Sequence, residues 1–350
     1  MVVAPPAEEA EQLKPAGART NLLRLVGIVL ALGVLGFVFV LSIAIGTKDI
    51  PLATAWHVLW NNDGSSEAVI IHELRIPRTL LGIAMGAAIG LSGSLMQALT
   101  RNPLADPGLF GINLGAAAAI VIGIAFLGVT SIFGYVWFAF AGAAAASVVV
   151  YVLGSAGRSG SSPDRLVLAG AAVTAMLFAF ISAVVLLNLE VFNKFRFWNV
   201  GSLVGRGTDT LLQVLPFIAL GVLIALILAR PLNALALGDQ AASALGAHVT
   251  ATRVAGAIAV TLLCGGATAA IGPIGFVGLA VPHAARLIVG PDHRWGLPYS
   301  MVLAAILLLG ADVLGRTFDD TEEVQVGIMT AIVGAPVFIA LCRRRKPARL

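Results

Sequence analysis

Charge is what this chain has least of. Among 350 residues, 22 are Lys or Arg and 18 are Asp or Glu, which makes 11% charged. A soluble domain carries about 25%. Hydrophobic residues reach 59%, and the mean hydropathy is +0.96. A soluble fold of this length has no way to hide so much apolar surface from water, so lipid must solvate most of the chain. Cysteine is nearly absent as well. Cys264 and Cys342 both lie in apolar stretches and supply neither a disulfide framework nor zinc spacing. No basic stripe interleaves with aromatics, which argues against a nucleic-acid partner. There is no Walker A sequence, no nucleophile–base pair and no carboxylate pair. The chain therefore reads as no enzyme on its own, with no catalytic residue and no metal-ligand set. If ATP powers it, another polypeptide hydrolyses that ATP.

What is present is a series of windows without Asp, Glu, Lys or Arg: 25–47, 79–100, 107–157, 166–189, 210–229, 254–285, 295–311 and 324–342. A spanning helix needs about 20 apolar residues. The window 107–157 is long enough for two spans broken near Gly128–Gly134, and 254–285 fits one full and one shorter helix broken at Gly272-Pro273. The fold class expected is therefore an all-α polytopic membrane protein of about ten transmembrane helices. An even number of spans puts both termini on one side. The ends at residues 1–24, 100–108, 155–165, 229–254, 286–296 and 343–350 hold 15 of the 22 basic residues, so the positive-inside rule makes that side cytoplasmic. The tail Arg343-Arg344-Arg345-Lys346 is the strongest anchor.

The polar, Pro/Ala-rich residues 1–20 read as a disordered cytoplasmic lead rather than a signal peptide. Residues 21–345 form the transmembrane domain, and 346–350 a cytoplasmic tail. Gly82, Gly86 and Gly90 stand four apart, a spacing that lets helix backbones approach closely in lipid. Two Gly/Pro-rich segments, one through Asp106-Pro107-Gly108 and one through Gly272-Pro273-Ile274-Gly275, suggest an inverted repeat. No span carries a chain of Asp, Glu or His at mid-depth, which argues against a carrier driven by protons or sodium. His283 reads as a hydrogen-bonded packing residue.

The largest basic-side loop, 230–253, has an amphipathic pattern that Gly238 and Gly246 would break into short helices. Its polar face lacks the Lys/Arg enrichment of a helix lying on lipid, so it reads as a docking knob for a soluble partner. On the opposite side, Trp56 and Trp60 read as interface anchors. Arg75 and Arg78 sit where the second span enters the membrane. They read either as snorkelling anchors or as a docking patch for an acidic partner.

The stretch RIPRTLLGIAMGAAIGLSGSLMQALTRNPLADPGLFGINLGAA at 75–117 resembles the FecCD-type permease family. These are the membrane subunits of binding-protein-dependent ABC importers for ferric siderophores, haem and cobalamin. The likeness recurs at LAGAAVTAML (168–177), FWNVGSL (197–203), LNALALGDQAASALG (232–246), GPIGFVGLAVPHAARLIVGPDHR (272–294), GADVLGR (310–316) and GIMTAIVGAPVFIALCRR (327–344).

The resemblance implies a type II ABC importer permease fold in the bacterial cytoplasmic (inner) membrane. It implies a second permease subunit, identical or paralogous, two cytoplasmic ABC ATPase subunits and an extracytoplasmic substrate-binding protein. It implies no cofactor bound by this chain; ATP and Mg are used by the ATPase. It places ATPase coupling at Leu232, Leu235, Leu237, Gly238, Asp239, Ala241, Leu245 and Gly246. It places docking of the binding protein at Arg75, Arg78 and Arg316, and a cytoplasmic gate at Ser161 and Ser162. It marks Asn102, Pro103, Asp106, Pro107, Gly108, Gly272, Pro273, Gly275 and Pro282 as helix-break positions. The family's E-[LI]-P-[VI]-G is replaced by Glu323-Val324-Gln325-Val326-Gly327, behind Asp319, Asp320 and Glu322. This acidic patch beside Arg316 would either weaken docking there or orient Arg316 by an ion pair. A ferric siderophore is the expected cargo, with haem or cobalamin the alternatives within the family.

The topology is open to a direct test. In a background lacking Cys264 and Cys342, Arg343→Cys should react with a membrane-impermeant maleimide only after the membrane is permeabilised. Labelling in intact cells would invert the arrangement.

Overall fold

The computed structural model describes residues 17–46, 48, 50–61, 63–129, 131–155, 163–318 and 323–343. The lead before Gly17, the expected gate Ser161 and Ser162, the acids Asp319, Asp320 and Glu322, and the tail after Arg343 lie outside the described residues.

The described chain is helical throughout. In order the helices are α1 (Gly17–Ala44), α2 (Leu52–Trp60), α3 (Ser66–Thr100), α4 (Ile112–Leu127), α5 (Ile132–Ser155), α6 (Pro163–Leu187) and α7 (Leu189–Asn199). There follow α8 (Thr208–Ile227), α9 (Ala229–Leu235), α10 (Asp239–Ala244), α11 (Val249–Ile271), α12 (Val277–Val289), α13 (His293–Gly315) and α14 (Val326–Arg343). By length and composition seven of them can cross a membrane: α1, α3, α5, α6, α8, α11 and α13. Shorter apolar helices at α4, α12 and Val326–Ala340 accompany these. The two long windows divide where the sequence breaks them. Gly128, at φ +65°, ends α4, and Gly272, at φ +81°, ends α11.

Helix α3 is the mast of the fold. Its glycine stripe lets α13 touch it backbone to backbone. A Cβ added at Gly86 would lie 2.7 Å from the Ala305 Cα, and one at Gly90 would lie 2.4 Å from the Ser300 carbonyl oxygen. Gly93 is tighter still, because a Cβ there would stand 1.9 Å from the carbonyl oxygen of Gly278 in α12. Without a lipid-driven hydrophobic effect between helices, such close approach is how packing attraction is gained.

Pro282 does not break α12. It lies buried inside the helix. Lacking an N–H, it leaves the Gly278 carbonyl without its usual helical donor, and the Gly93 backbone packs against that same carbonyl.

The sequence puts residues 100–108 at a membrane end. The structure keeps the first part there, with Asn102 and Leu104 exposed, and corrects the rest. From Ala105 to Gly108 the segment turns back inside. A Cβ at Gly278 would lie 3.1 Å from the Pro107 ring and 3.4 Å from the Ile89 carbonyl, so Pro107 sits at the level of the middle of α3. Helix α4 starts at that depth. Asn113 accepts a 2.9 Å hydrogen bond from the Thr268 hydroxyl, near the far end of α11. Irregular backbone is tolerated at membrane depth only when protein encloses it and its polar groups find partners. Here Arg101, at φ +51°, terminates α3. The Asn102 side chain accepts from the Leu104 N–H at 2.9 Å, and Asp106 accepts from the Gly108 N–H at 2.7 Å. Asp106 is therefore an acidic residue inside the body, where the sequence places none.

Gly93→Ala should lower the thermal midpoint in detergent, with an overpacking cost of about 1–3 kcal/mol. Gly33→Ala, where nothing stands within 4 Å of the new Cβ, should not. Equal midpoints for the two would mean that the α3–α12 contact is looser than described.

Candidate functional site

Two polar regions lie at opposite ends of α3. In its third and fourth turns Arg75 and Arg78 meet Arg316 from the end of α13, but not as free cations. Arg75 is buried, and its guanidinium donates to the carbonyls of Ile43 (2.7 Å), Ala44 (2.6 Å) and Lys48 (2.5 Å). The last carbonyls of a helix have no intrahelical donors, and Arg75 provides them for α1. Arg316 does the same from α13, donating to Ser42 O at 2.7 Å and Ile45 O at 3.0 Å. Arg316 also pairs with Asp312 one turn earlier in α13. Asp312, 1% exposed, shares its carboxylate with Arg78 at 2.7 Å, and Arg78 reaches Glu323 at 2.6 Å.

The sequence expectation had these three arginines facing an acidic partner. Burial directs Arg75 and Arg316 inward, where each holds the end of α1. Arg78 keeps 13% of its side chain exposed. Among the described residues, the acid that meets this lattice from the segment before α14 is Glu323, which pairs with Arg78.

At the other end of α3 lies the expected knob. Gly238, at φ +101°, and Gly246, at φ +81°, bound α10 as the sequence requires. Leu237 and Leu245, 66% and 67% exposed, form its apolar tip. Leu232 and Leu235 are corrected. Both are fully buried and root α9 in the core, so they present nothing to a partner. Asn233 strengthens that root. Its amide donates to Asp292 at 2.7 Å, and its carbonyl oxygen accepts from the His293 N–H at 2.9 Å. Ala241 is half-buried beneath the tip, beside Gly238 and Asp239.

Asp239 opens α10 with its carboxylate, part of a side chain still 45% exposed, facing two basic residues. It pairs with Arg101 from the end of α3 and with Arg253 from the first turn of α11 at 3.0 Å. The knob is thus latched to two long helices by one carboxylate. Sequence reasoning named Asp239 but missed Arg101 and Arg253, which lie 138 and 14 residues away in the chain. The signal that could have found them was their position. Each is a basic residue at a helix end on the same side as the knob.

Among the break positions, Pro103 lies in the turn after α3, Gly275 and Pro273 lie in the link between α11 and α12, and Gly201 packs against the Pro273 carbonyl. Phe276 begins α12 with φ +65°, a conformation rare for an aromatic residue. Its Cβ would meet any side chain placed at Gly334 of α14. The His283 Nδ1, expected to be hydrogen-bonded, is buried with no partner among the described residues.

The model of the FecCD transport family matches residues 34–344. The ferric enterobactin transport system permease protein FepD of Escherichia coli (strain K12) is 46% identical over 305 residues, which cover 87% of this chain and 91% of that protein. The hemin transport system permease protein HmuU of Yersinia pestis is 36% identical over 326 residues, covering 90% and 96%. A solved metal-chelate type ABC transporter in an inward-facing conformation superposes with a TM-score of 0.79 at 28% identity, covering 92% of this chain and 98% of that one.

The arginine lattice makes a sharp stability prediction. Asp312→Asn leaves two buried guanidinium groups without their shared carboxylate and should cost about 3–5 kcal/mol, seen as a large fall in thermal midpoint. Glu190→Gln, which breaks only the exposed pair with Lys194, should leave the midpoint unchanged. A wild-type midpoint for Asp312→Asn would mean that the pairings do not hold α1 in place.

Proposed function

This chain belongs to the FecCD transport family, and from that membership we propose that it is the importer permease through which ferric siderophore complexes cross the bacterial cytoplasmic membrane. It is a transport subunit and not an enzyme. The seven long helices and three shorter apolar ones support a ten-span reading, and the Lys/Arg distribution favours both termini in the cytoplasm. On that reading the arginine lattice faces outward and the knob faces the cytosol. Two permease subunits enclose the path. A binding protein delivers cargo at the lattice face, and two ATPase subunits grip Leu237 and Leu245.

The observation that carries the mechanism is the Asp239 latch. ATP-driven closure of the ATPases moves the knob, and the Arg101 and Arg253 pairs pass that displacement to α3 and α11. Each helix is followed by an irregular segment, around Pro107 after α3 and around Gly272 after α11, a backbone stretch able to rearrange without unfolding a span. Helix α3 thereby connects the docking face to the motor face. The cargo passes as an intact chelate, so no side chain here needs to ligate iron. Ferric siderophore is preferred over haem because the relative named for ferric enterobactin is the more similar of the two described. Ser161 and Ser162 remain the proposed gate, on the family resemblance alone.

The test is reconstitution in vesicles with the ATPase and the binding protein. Ferric enterobactin should accumulate only with ATP. Uptake that survives without ATP and collapses with an ion gradient would instead identify a secondary carrier. In the same vesicles, Leu237→Glu with Asp239→Asn should leave ATP hydrolysis in place while uptake falls by about tenfold or more, the range of a typical coupling energy. Unchanged uptake would remove the knob from the mechanism.

A further inference from the structure

Two cavities on the flank of the helical body join into one groove along α11. The first, of about 720 Å³, lies beside the knob and is lined by Ser243, His248, Thr250, Val254 and Ile258, among others. The second, of about 300 Å³, lies between α5 and α11, with Phe140, Val148, Val152, Val254, Ile258 and Leu262 in its wall. Val254 and Ile258 belong to both.

Helices α5 and α11 meet where a Cβ added to Gly265 would stand 3.3 Å from the Ala143 side chain. On the knob side of that meeting point the groove lies between them, with Val148, Val152 and Ile258 exposed along it. Both helices have the length and hydropathy of membrane spans. The hydroxyls in this stretch are already committed. Ser147 donates to the Ala143 carbonyl at 2.9 Å, and Thr261 donates to the Ala257 carbonyl at 2.9 Å. A polar occupant would therefore lose its water and gain little in return, whereas an apolar chain gains by burial.

Toward the knob the lining changes. Ser243, His248 and Thr250 are exposed, and no acidic side chain lines either cavity among the described residues. Helix α11 starts at Val249 with no side-chain cap on its first N–H groups, which leaves donors and a partial positive charge where the groove turns polar. From Thr250 to Leu262 the helix rises about 18 Å, against a hydrocarbon core of about 30 Å. The groove thus runs from the membrane boundary to roughly mid-depth. Apolar over one leaflet and then polar, without acidic groups, it has the profile of a phospholipid.

We propose that this groove is a binding site for one phospholipid, with an acyl chain between α5 and α11 and the phosphate beside His248 and Thr250. Its assignment to the inner leaflet rests on the topology proposed above, while the site itself is independent of the cargo. Ser243 lies in α10, so the bound lipid stands between the coupling knob and α5 and links the knob to the bilayer.

The permease–ATPase complex in lipid nanodiscs provides the test. The probe is phosphatidylglycerol carrying a photoreactive diazirine on one acyl chain, with the labelled positions mapped by peptide mass spectrometry. Labelling at Val148, Val152, Val254 and Ile258 should saturate. Unlabelled phosphatidylglycerol should compete it away about tenfold more effectively than diacylglycerol, which has the same chains and no phosphate. At Val29 and Val34, on the exposed face of α1, the two competitors should act alike, as for lipid that merely surrounds the protein.

Two variants probe the two ends of the groove. Ala257→Phe fills the apolar part and should abolish the saturable labelling. His248→Glu with Thr250→Glu sets two carboxylates at exposed positions where the phosphate would sit, and should weaken labelling about tenfold even if Ala257→Phe fails to fold. Labelling that never saturates, or that matches α1 in its competition, overturns the site. So does wild-type labelling in the double-glutamate variant. Crosslinking of Val152 to a second permease copy in place of lipid would assign the groove to a subunit interface and overturn the proposal, leaving the importer reading untouched.

Discussion

A peptide carbonyl in lipid has no water to turn to, so some other part of the protein must supply its donor. Much of the architecture follows from how that demand is met at the end of α1. The carbonyls of Ser42, Ile43, Ala44 and Ile45 receive theirs from Arg75 and Arg316. Arginine suits this task because its five N–H donors lie in a rigid fork. Lysine, a point charge on a flexible stem, would not cap two turns of backbone at once. The two charges then need balancing in a place of low dielectric. For Arg316 the partner is Asp312, which it shares with Arg78, and Arg78 in turn pairs with Glu323; α1, α3 and α13 thereby become one unit.

The same demand explains the interior. Helices can stop at mid-depth only where other helices enclose them. Gly93 lets the α12 backbone reach α3, and the Asn102 and Asp106 side chains satisfy the N–H groups of the re-entrant turn. These breaks sit against packed helices rather than lipid, so they can remain irregular without leaving polar backbone exposed to hydrocarbon. They are also where a helical body can change shape while each spanning segment stays intact, which a transport cycle needs.

Much of this is legible in the sequence because the solvent imposes it. Charge-free windows find the helices, glycine and proline find their ends, and the four-residue glycine spacing finds the face of α3 that meets α13. The knob is visible from its amphipathic pattern, with Gly238 and Gly246 as its bounds. Depth is not legible. Ala105 to Gly108 looks like part of a loop at a membrane end because polar and turn-forming residues look the same in water and in an enclosed turn. Direction is not legible either. Arg75 and Arg316 stand at helix ends on a face where an acidic partner is expected, but their long side chains fold back onto carbonyls more than 30 residues away. Leu232 and Leu235 share the pattern of Leu237 and Leu245, and only tertiary packing separates the roots of the knob from its tip.

The central claim is that α3 joins the two faces, with Arg75 and Arg78 near one end and Arg101, latched to Asp239, at the other. Linkage makes such a connection reciprocal, so a partner bound at one face must alter affinity at the other by the same factor in both directions. The most direct measurement is the affinity of the ATPase subunits for the permease in nanodiscs, with and without docked binding protein, for wild type and Arg101→Gln. The account predicts a several-fold effect of the binding protein in wild type and a factor near one in Arg101→Gln. An undiminished effect in Arg101→Gln would contradict it.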